Sequence, residues 1–457
     1  MNLFDIHRIY FLGIGGIGMS ALARFFNSLG AEVYGYDRTK SNLCSELIAE
    51  GMHLHFEEDL QAIPADVDLV VWTPAIPPDH SELQYFLEHG FPVKKRAEVL
   101  GIISDGKRCV AVAGTHGKTT TTTLCAHLMR SCQLDATAFL GGIAANFSTN
   151  FVQGDGEWVV AEADEYDRSF LHLHPEIAIV NAIDPDHLEI YGTATALVDA
   201  YEQFILQLKP GGTLLYKAGL ALDRVAGQLR SSGRNVRTFG IDTGDFHAEN
   251  LRVANGDMVF DVVTPNQFFP NLHLPYPGKY NVENALAALA ATLITGGAPD
   301  MIQEALSTFR GVKRRFEFVY RSEDRVFIDD YAHHPAELEA VIAAARMLYP
   351  NRPITGIFQP HLYTRTRDFA DGFARALEKL DEVILLEIYP ARERPIPGVD
   401  AQLILNKMNH PKKSLISGFN LIKFLENHLP AVLLTMGAGD IDQYVSPIRQ
   451  LLEAKNN

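Results

Sequence analysis

The sequence predicts an α/β protein of three domains. These are a Rossmann-like N-terminal domain, a central parallel sheet of the P-loop ATPase type with a small antiparallel insertion, and a second Rossmann-like domain at the C-terminus. Three observations point there. Glycine-rich turns twice join an apolar strand to a helical run, once through Gly13, Gly15, Gly16 and Gly18 and again through Gly114 and Gly117. From residue 313 onward, four apolar runs each end in a polar loop, as strands of an open α/β sheet do at their ligand-binding edge. At 457 residues the chain is too long for one core; a polar shift around Ser104 to Lys107 and the new set of strands and helices that begins after Gly311 place the domains at 1–106, 107–312 and 313–457.

Composition narrows the function classes. The balance of 40 basic against 56 acidic residues gives a net charge of −16, which argues against a nucleic-acid partner bound through a broad basic face. A phosphorylated substrate must then be held by local cations and metal. Cys44, Cys109, Cys125 and Cys132 show no C-x-x-C spacing and read as reduced thiols. No apolar run reaches membrane-span length, and the stretch from Met1 to Ile9 is too short and polar for a signal peptide. The expectation is a cytoplasmic protein, monomeric or weakly dimeric, bound to no membrane.

In the first domain, the stretch from Arg8 to Leu22 reads as strand, glycine turn and helix. Gly30 closes the helix, and a second strand runs from Val33 to Tyr36. Gly13, Gly15 and Gly18 satisfy G-x-G-x-x-G, with Asp37 where a ribose-binding acid is expected. The fingerprint reports a diphosphate at a helix N-terminus, which a sugar nucleotide has as well as NAD. Gly15, Gly16, Gly18, Met19, Ser20 and Asp37 are therefore candidate contacts. Asp68 to Trp72 is a further strand, and Thr73 opens the rigid loop leaving it. Of the basic knot Lys94, Lys95 and Arg96, only Arg96 is retained as a ligand candidate, since short charge runs are usually solvated.

The central domain opens on a strand from Cys109 to Val112, followed by Gly114-Thr115-His116-Gly117-Lys118-Thr119-Thr120. Glycine lets backbone N–H groups approach phosphate oxygens, the helix start adds partial positive charge, Lys118 adds a full one, and the Thr119 hydroxyl suits Mg²⁺. Five consecutive threonines are poor helix formers, a local rule broken where function demands it. Glu162 ends a neighbouring apolar strand and is the expected metal carboxylate. At least two of Asp164, Glu165 and Asp167 read as a solvated turn. His187, flanked by acids after another strand, is a candidate for a second cation. Residues 236–269 read as the antiparallel meander, with no chemistry. Asn281 is expected to cap an alanine-rich helix, with Asn284 one turn on.

In the third domain, Arg314 and Arg315 precede a strand ending in Asp329, Asp330, His333 and His334, and Pro335 starts a helix. The next strands run into Gln359-Pro-His361 with Arg365, into Pro390 to Gly398, and into Gly437-Ala-Gly439-Asp440.

Together these stretches resemble the Mur ligase family. The likeness covers the whole chain and rests on G-I-G-G-I-G-M-S, A-G-T-H-G-K-T-T-T, E-A-D-E, D-x-D-H, N-x-x-N, R-R-F, D-D-Y-A-H-H-P, Q-P-H-x-Y-T-R-T-R and G-A-G-D, in family order. It implies one domain for a UDP-sugar, one for ATP and one that closes with an amino acid. The activity implied is ATP-dependent joining of L-alanine to the carboxylate of UDP-N-acetylmuramate through an acyl phosphate, in peptidoglycan precursor synthesis.

By the same resemblance Lys118 holds phosphates, and Thr119, Glu162 and His187 hold metal. Asn281 and Asn284 lie on the adenine side, Arg315 or Arg314 meets the γ-phosphate, and Asp330 meets the ribose or a nearby group. His334, His361 and Arg365 shape the amino-acid pocket, with His334 helping to take the amine proton. A recycling ligase acting on a muropeptide would share the first two domains. An NAD-dependent oxidoreductase explains residues 8–37 but leaves Lys118, Glu162 and His187 idle, and a P-loop switch leaves the third domain's loops unexplained.

Overall fold

The computed structural model describes residues 3–186, 188–391 and 393–455. Three sheets carry the chain. The first uses β1 (Arg8–Leu12), β2 (Glu32–Tyr36), β3 (His53–His55), β4 (Leu69–Trp72) and β5 (Val93–Lys95), all parallel, in the order β3-β2-β1-β4-β5. Its direction of winding reverses beside β1, so the glycine turn that follows β1 sits where ligands of doubly wound sheets collect. Central strands buried on both faces read as unbroken apolar runs: Ile9, Tyr10, Phe11 and Leu12 are all fully buried.

The second sheet comprises β6 (Arg108–Ala113), β7 (Thr137–Ala144), β8 (Thr149–Val152), β9 (Trp158–Glu162), β10 (Ile177–Val180), β11 (Thr213–Lys217), β12 (Asn235–Ile241), β13 (Phe246–Ala254), β14 (Asp257–Val263) and β15 (Phe268–Leu274). Their order is β15-β14-β13-β12-β11-β10-β6-β9-β7-β8, which sets β6 between two strands pointing the same way. The meander expected over residues 236–269 is only partly antiparallel. Asn255 and Gly256, both at positive φ, make the two-residue turn between β13 and β14. β12 and β13 instead pair in parallel, Phe239 against Phe246, because the chain loops back through Asp242 and Gly244 at positive φ.

The third sheet is built from β16 (Glu317–Arg321), β17 (Val326–Asp330), β18 (Ile354–Phe358), β19 (Glu382–Leu385), β20 (Lys413–Leu415) and β21 (Val432–Met436). In the order β16-β17-β21-β18-β19-β20, the parallel run from β17 to β20 brings the loops after β17, β18, β19 and β21 to one edge.

The chain divides into two compact units. One comprises Met1–Asn250, Phe260–Leu272 and Glu283–Phe309, and the other Leu251–Val259, His273–Val282 and Arg310–Asn457. Within the first unit, helix α1 (Ile17–Ser28) docks on the central sheet through Asn150. Asn150 is fully buried, donates to Ile17 O at 2.6 Å and Ser20 Oγ at 2.8 Å, and accepts from Arg24 at 2.5 Å. The four cysteines are buried and unbridged. Among the described residues no helix is long and apolar enough to cross a membrane.

Candidate functional site

The loop after β6 is shaped by two glycines that nothing larger could replace. Gly114 has φ +135 and Gly117 φ +79; a Cβ would lie 2.9 Å from Ala182 N at the first and 2.5 Å from Asn284 Oδ1 at the second. Thr115 ties the loop to the segment that follows β10, its N–H donating to Ala182 O and its hydroxyl accepting from Asp184 N at 3.0 Å. His116 Nε2 stands 3.6 Å from an Asp184 oxygen. Gly117 caps helix α2 (Lys118–Ser131), whose free N-terminal N–H groups face the loop.

Tertiary bonds explain how five threonines open that helix. Thr120 is buried with the rest of the run. Thr122 and Thr123 donate to the carbonyls of Lys118 and Thr119 at 2.8 Å. Thr121 donates to Asn284 Oδ1 at 3.1 Å and accepts from Asn181 Nδ2 at 2.9 Å. Asn284 thus braces the loop from behind.

The acids gather where β9 ends. Thr119 Oγ1 donates to Glu162 Oε2 at 3.0 Å, so two hard oxygens from adjacent elements converge beside Lys118. Lys118 Nζ donates to Gly114 O at 2.7 Å and to both oxygens of Glu165, at 2.7 and 2.9 Å. Burial opposes the charge on Lys118, but Glu165, then Asp164 and Glu162, outweigh it and raise the ammonium above its ordinary range. Glu165 is therefore no solvated acid; its side chain is 1% exposed. Among the described residues no three His, Cys, Asp or Glu side chains gather as a metal cluster. Thr119 and Glu162 still fit Mg²⁺, which takes one or two protein oxygens and keeps water for the rest. His187 lies outside the described residues.

At the first turn, Gly15 N–H donates to Asp37 Oδ2 at 2.9 Å, and a Cβ there would meet Cys44 Sγ at 2.5 Å. Thr73 packs against the turn, its methyl 2.8 Å from where a Gly13 Cβ would stand. Gly16 caps α1, and Gly18 faces Arg96, whose guanidinium comes within 3.0 Å of a Gly18 Cβ and donates to Asp164 at 3.2 Å. Arg96 so links the glycine turn to the acid loop. Met19 and Ser20 differ from expectation: both side chains are buried. Ser20 N–H closes a helical bond to Gly16 O and its hydroxyl is shared between Ile17 O and Asn150, because this face of α1 packs on the central sheet.

In the second unit, Asp330 accepts from Phe316 N at 2.6 Å and Ala332 N at 2.7 Å. Burial pushes its carboxyl up to about 7, against the opposing pull of Arg315 and those N–H groups. The guanidiniums of Arg314 and Arg315 each lie over the Tyr331 ring, 5.1 and 5.0 Å from its centroid. Arg314 is tied to Asp329 at 3.3 Å, to Gly437 O at 2.8 Å and to Asp442 at 3.5 Å.

His334 is the N-cap of the helix Pro335–Leu348. Its Nδ1 accepts from Ala336 N at 3.3 Å while Glu337 accepts from His334 N at 3.2 Å. His361 stacks on Tyr389 with centroids 5.8 Å apart, and Arg365 is buried in the following helix, Tyr363–Leu377. Asn281 does not cap its helix, which begins two residues earlier at Lys279; its amide turns back to Pro277 O at 2.6 Å.

Comparison with known proteins agrees along the whole chain. Residues 8–108 match the model described as Mur ligase family, catalytic domain; 112–292 match the Mur ligase middle domain; 314–441 match the Mur ligase glutamate ligase domain. This chain belongs to the Mur ligase family. Among Mur ligases it is similar to the UDP-N-acetylmuramate--L-alanine ligase of Flavobacterium psychrophilum, 47% identical over 100% of both chains. The solved UDP-N-acetylmuramate-alanine ligase of Thermotoga maritima superposes with TM-score 0.82 at 30% identity, covering 98% of this chain and 99% of that one. A murein peptide ligase of Psychrobacter arcticus, 24% identical over 99% of both chains, shares the fold at TM-score 0.71.

On this Mur ligase the structure adds residues that sequence reasoning passed over. Asn181 follows a buried strand with no motif of its own, yet it anchors Thr121. Gly141 sits on β7 where a Cβ would strike Glu162 Oε2 at 1.9 Å. Gln359 bridges two strand ends, donating to Asp440 at 2.7 Å and accepting from Ile441 N at 2.9 Å. Its signal was present in the Q-P-H and G-A-G-D runs, which are adjacent strand ends in one sheet.

Proposed function

We propose that this ligase joins L-alanine to the carboxylate of UDP-N-acetylmuramate at the expense of ATP, releasing ADP and phosphate, as a cytoplasmic step of peptidoglycan precursor synthesis. The observation that carries the reading is the pair of glycine-built anion cradles in one unit, after β1 and after β6, the second holding Lys118 beside Thr119 and Glu162. The full-length relatives named for this reaction support the choice of substrates. The proposed domains are 1–106 for the UDP-sugar, 107–312 for ATP and 313–457 for the amino acid.

The chemical problem is that a carboxylate does not react with an amine at neutral pH. The muramate carboxylate attacks the γ-phosphorus of ATP, ADP leaves, and an acyl phosphate forms. Lys118 and the N–H groups at the start of α2 bind the phosphates, and Arg315 neutralises charge on the transferring group. Arg314, tied to Asp329 and Gly437, shares the Tyr331 ring with Arg315. Thr119, Glu162 and His187 are the residues that would hold Mg²⁺, which when bound spreads the phosphate charge.

The neutral amine of alanine then attacks the acyl carbonyl and phosphate departs. In this reading His334, whose Nδ1 accepts from Ala336 N, helps to take the amine proton. Gly15, Gly16, Gly18, Asp37, Thr73 and Arg96 shape the sugar-nucleotide cradle, Asn281, Asn284 and Asp330 the adenosine side, and His361 and Arg365 the alanine pocket. The test is phosphate release on adding UDP-N-acetylmuramate with a panel of amino acids, read beside nicotinamide absorbance. Release with alanine and ATP is expected. Release only with a preformed peptide, or a nicotinamide signal alone, overturns the reading.

A further inference from the structure

The mechanism above leaves unused the carboxylate that holds Lys118. An ammonium has three N–H donors and no acceptor. Those of Lys118 are matched by three oxygens: Gly114 O at 2.7 Å, Glu165 Oε2 at 2.7 Å and Glu165 Oε1 at 2.9 Å. A phosphate oxygen therefore reaches Nζ only when one of these bonds is surrendered.

Which partner yields is decided by anchoring. Glu165 starts the turn Tyr166–His172, and its carbonyl accepts from Tyr191 OH at 2.6 Å and from Arg168 N at 3.0 Å. Asp167 and Arg168, at φ 52 and 56, fix that turn. The backbone that carries the carboxylate is thus fixed, and its side chain is shorter than the four-carbon stem on which Lys118 swings. The neighbouring acids are otherwise engaged: Glu162 accepts from Thr119, and Asp164 accepts from Arg96 and from Tyr166 N at 3.1 Å. Glu165 alone lies within hydrogen-bond reach of Nζ among the three.

A buried carboxylate at 2.7 Å cancels most of the charge a phosphate would otherwise meet. We propose that Glu165 is a positioning residue acting through Lys118: a buried counter-ion that competes with phosphate for the lysine ammonium and loosens the grip on nucleotide, so that ADP leaves after each turnover. The inference rests on the reading that Lys118 grips the nucleotide phosphates.

Calorimetric titration of the full chain with MgADP separates the two. Glu165→Gln keeps length and one acceptor but removes the charge. It should bind MgADP about tenfold more tightly than the parent, with a lower KM for ATP and a lower kcat as product release slows. Glu165→Asp, which keeps the charge, should stay within about threefold of the parent affinity. A purely structural role predicts the opposite sign, weaker binding on removing the partner. Unchanged or weaker MgADP binding by Glu165→Gln overturns the proposal, whereas a parent that binds no MgADP overturns the reading beneath it.

Crystal structures of the unaltered protein supply a check that needs no variant to fold. Lys118 should contact Glu165 without nucleotide and release at least one of its oxygens when MgADP is bound. Retention of all three bonds with MgADP present overturns the proposal.

Discussion

Replacing Gly141 by alanine displaces the Glu162 carboxylate beside Thr119 without substituting any charged residue. Gly141 lies on β7 outside the left-handed region, so its backbone accepts alanine. The added Cβ would lie 1.9 Å from Glu162 Oε2, 2.6 Å from Cδ and 2.9 Å from Oε1. Ordinary contact begins at 3.4 Å, so the carboxylate must retreat by about 1.5 Å. That shift breaks the 3.0 Å bond from Thr119 and separates the two oxygens proposed to hold Mg²⁺. Misplacing a positioned catalytic group by about 1 Å costs on the order of 10²-fold. The expected loss in kcat/KM for ATP is therefore about 10²-fold, or about 2.7 kcal/mol of transition-state stabilisation. The assay is phosphate release at saturating UDP-N-acetylmuramate and alanine while Mg²⁺ is titrated, with thermal melting as a control on folding. The Mg²⁺ concentration for half-maximal rate should rise. A folded variant within about threefold of the parent rate at unchanged Mg²⁺ dependence would refute the role given to Glu162.

Two further outcomes follow from the second unit. Burial raises Asp330 from its ordinary 3.8 to about 7, so between those values the native state binds a proton that the unfolded chain does not. The stabilising contribution is full below the unfolded value and lost as pH rises through about 7. Urea denaturation should show the parent losing stability relative to Asp330→Asn across that window, and parallel pH curves would exclude the assignment. The paired arginines should separate by readout. Arg314→Ala leaves Asp329, whose side chain is 1% exposed, without its cation and should cost about 3 kcal/mol in urea melts with little change in KM for ATP. Arg315→Ala should remain folded and lose about 10³-fold in kcat. Equal stability losses with equal kinetics would show that the two guanidiniums are interchangeable.

What could be read from the chain beforehand was whatever local backbone chemistry dictates. Gly114 and Gly117 announced the tight strand-to-helix loop because positive φ and close approach leave no other residue possible there. The strand ends carrying Glu162, Asp330 and His361 were legible because buried parallel strands are apolar runs with abrupt polar exits. The five threonines showed only that a rule was broken; their explanation is tertiary, in the bonds to Asn284, Asn181 and Glu162. Asn281 failed as a cap because a helix start moves by two residues without altering the composition around it.

The acid run shows where such reading stops. Asp164, Glu165 and Asp167 are near neighbours of one chemical type, yet each meets a different cation: Arg96 at 3.2 Å, Lys118 at 2.7 Å and Lys95 at 2.9 Å. Two of those cations come from the start of the helix Arg96–Asp105 and the strand before it, and the third from the phosphate loop. The run turns through two consecutive residues at positive φ, Asp167 and Arg168, a conformation aspartate tolerates better than most residues but arginine does not announce. The division between a solvated acid and a buried counter-ion is therefore a property of the turn's handedness, and substitutions that alter the φ of Asp167 or Arg168 should disturb nucleotide binding as surely as substitutions of Glu165 itself.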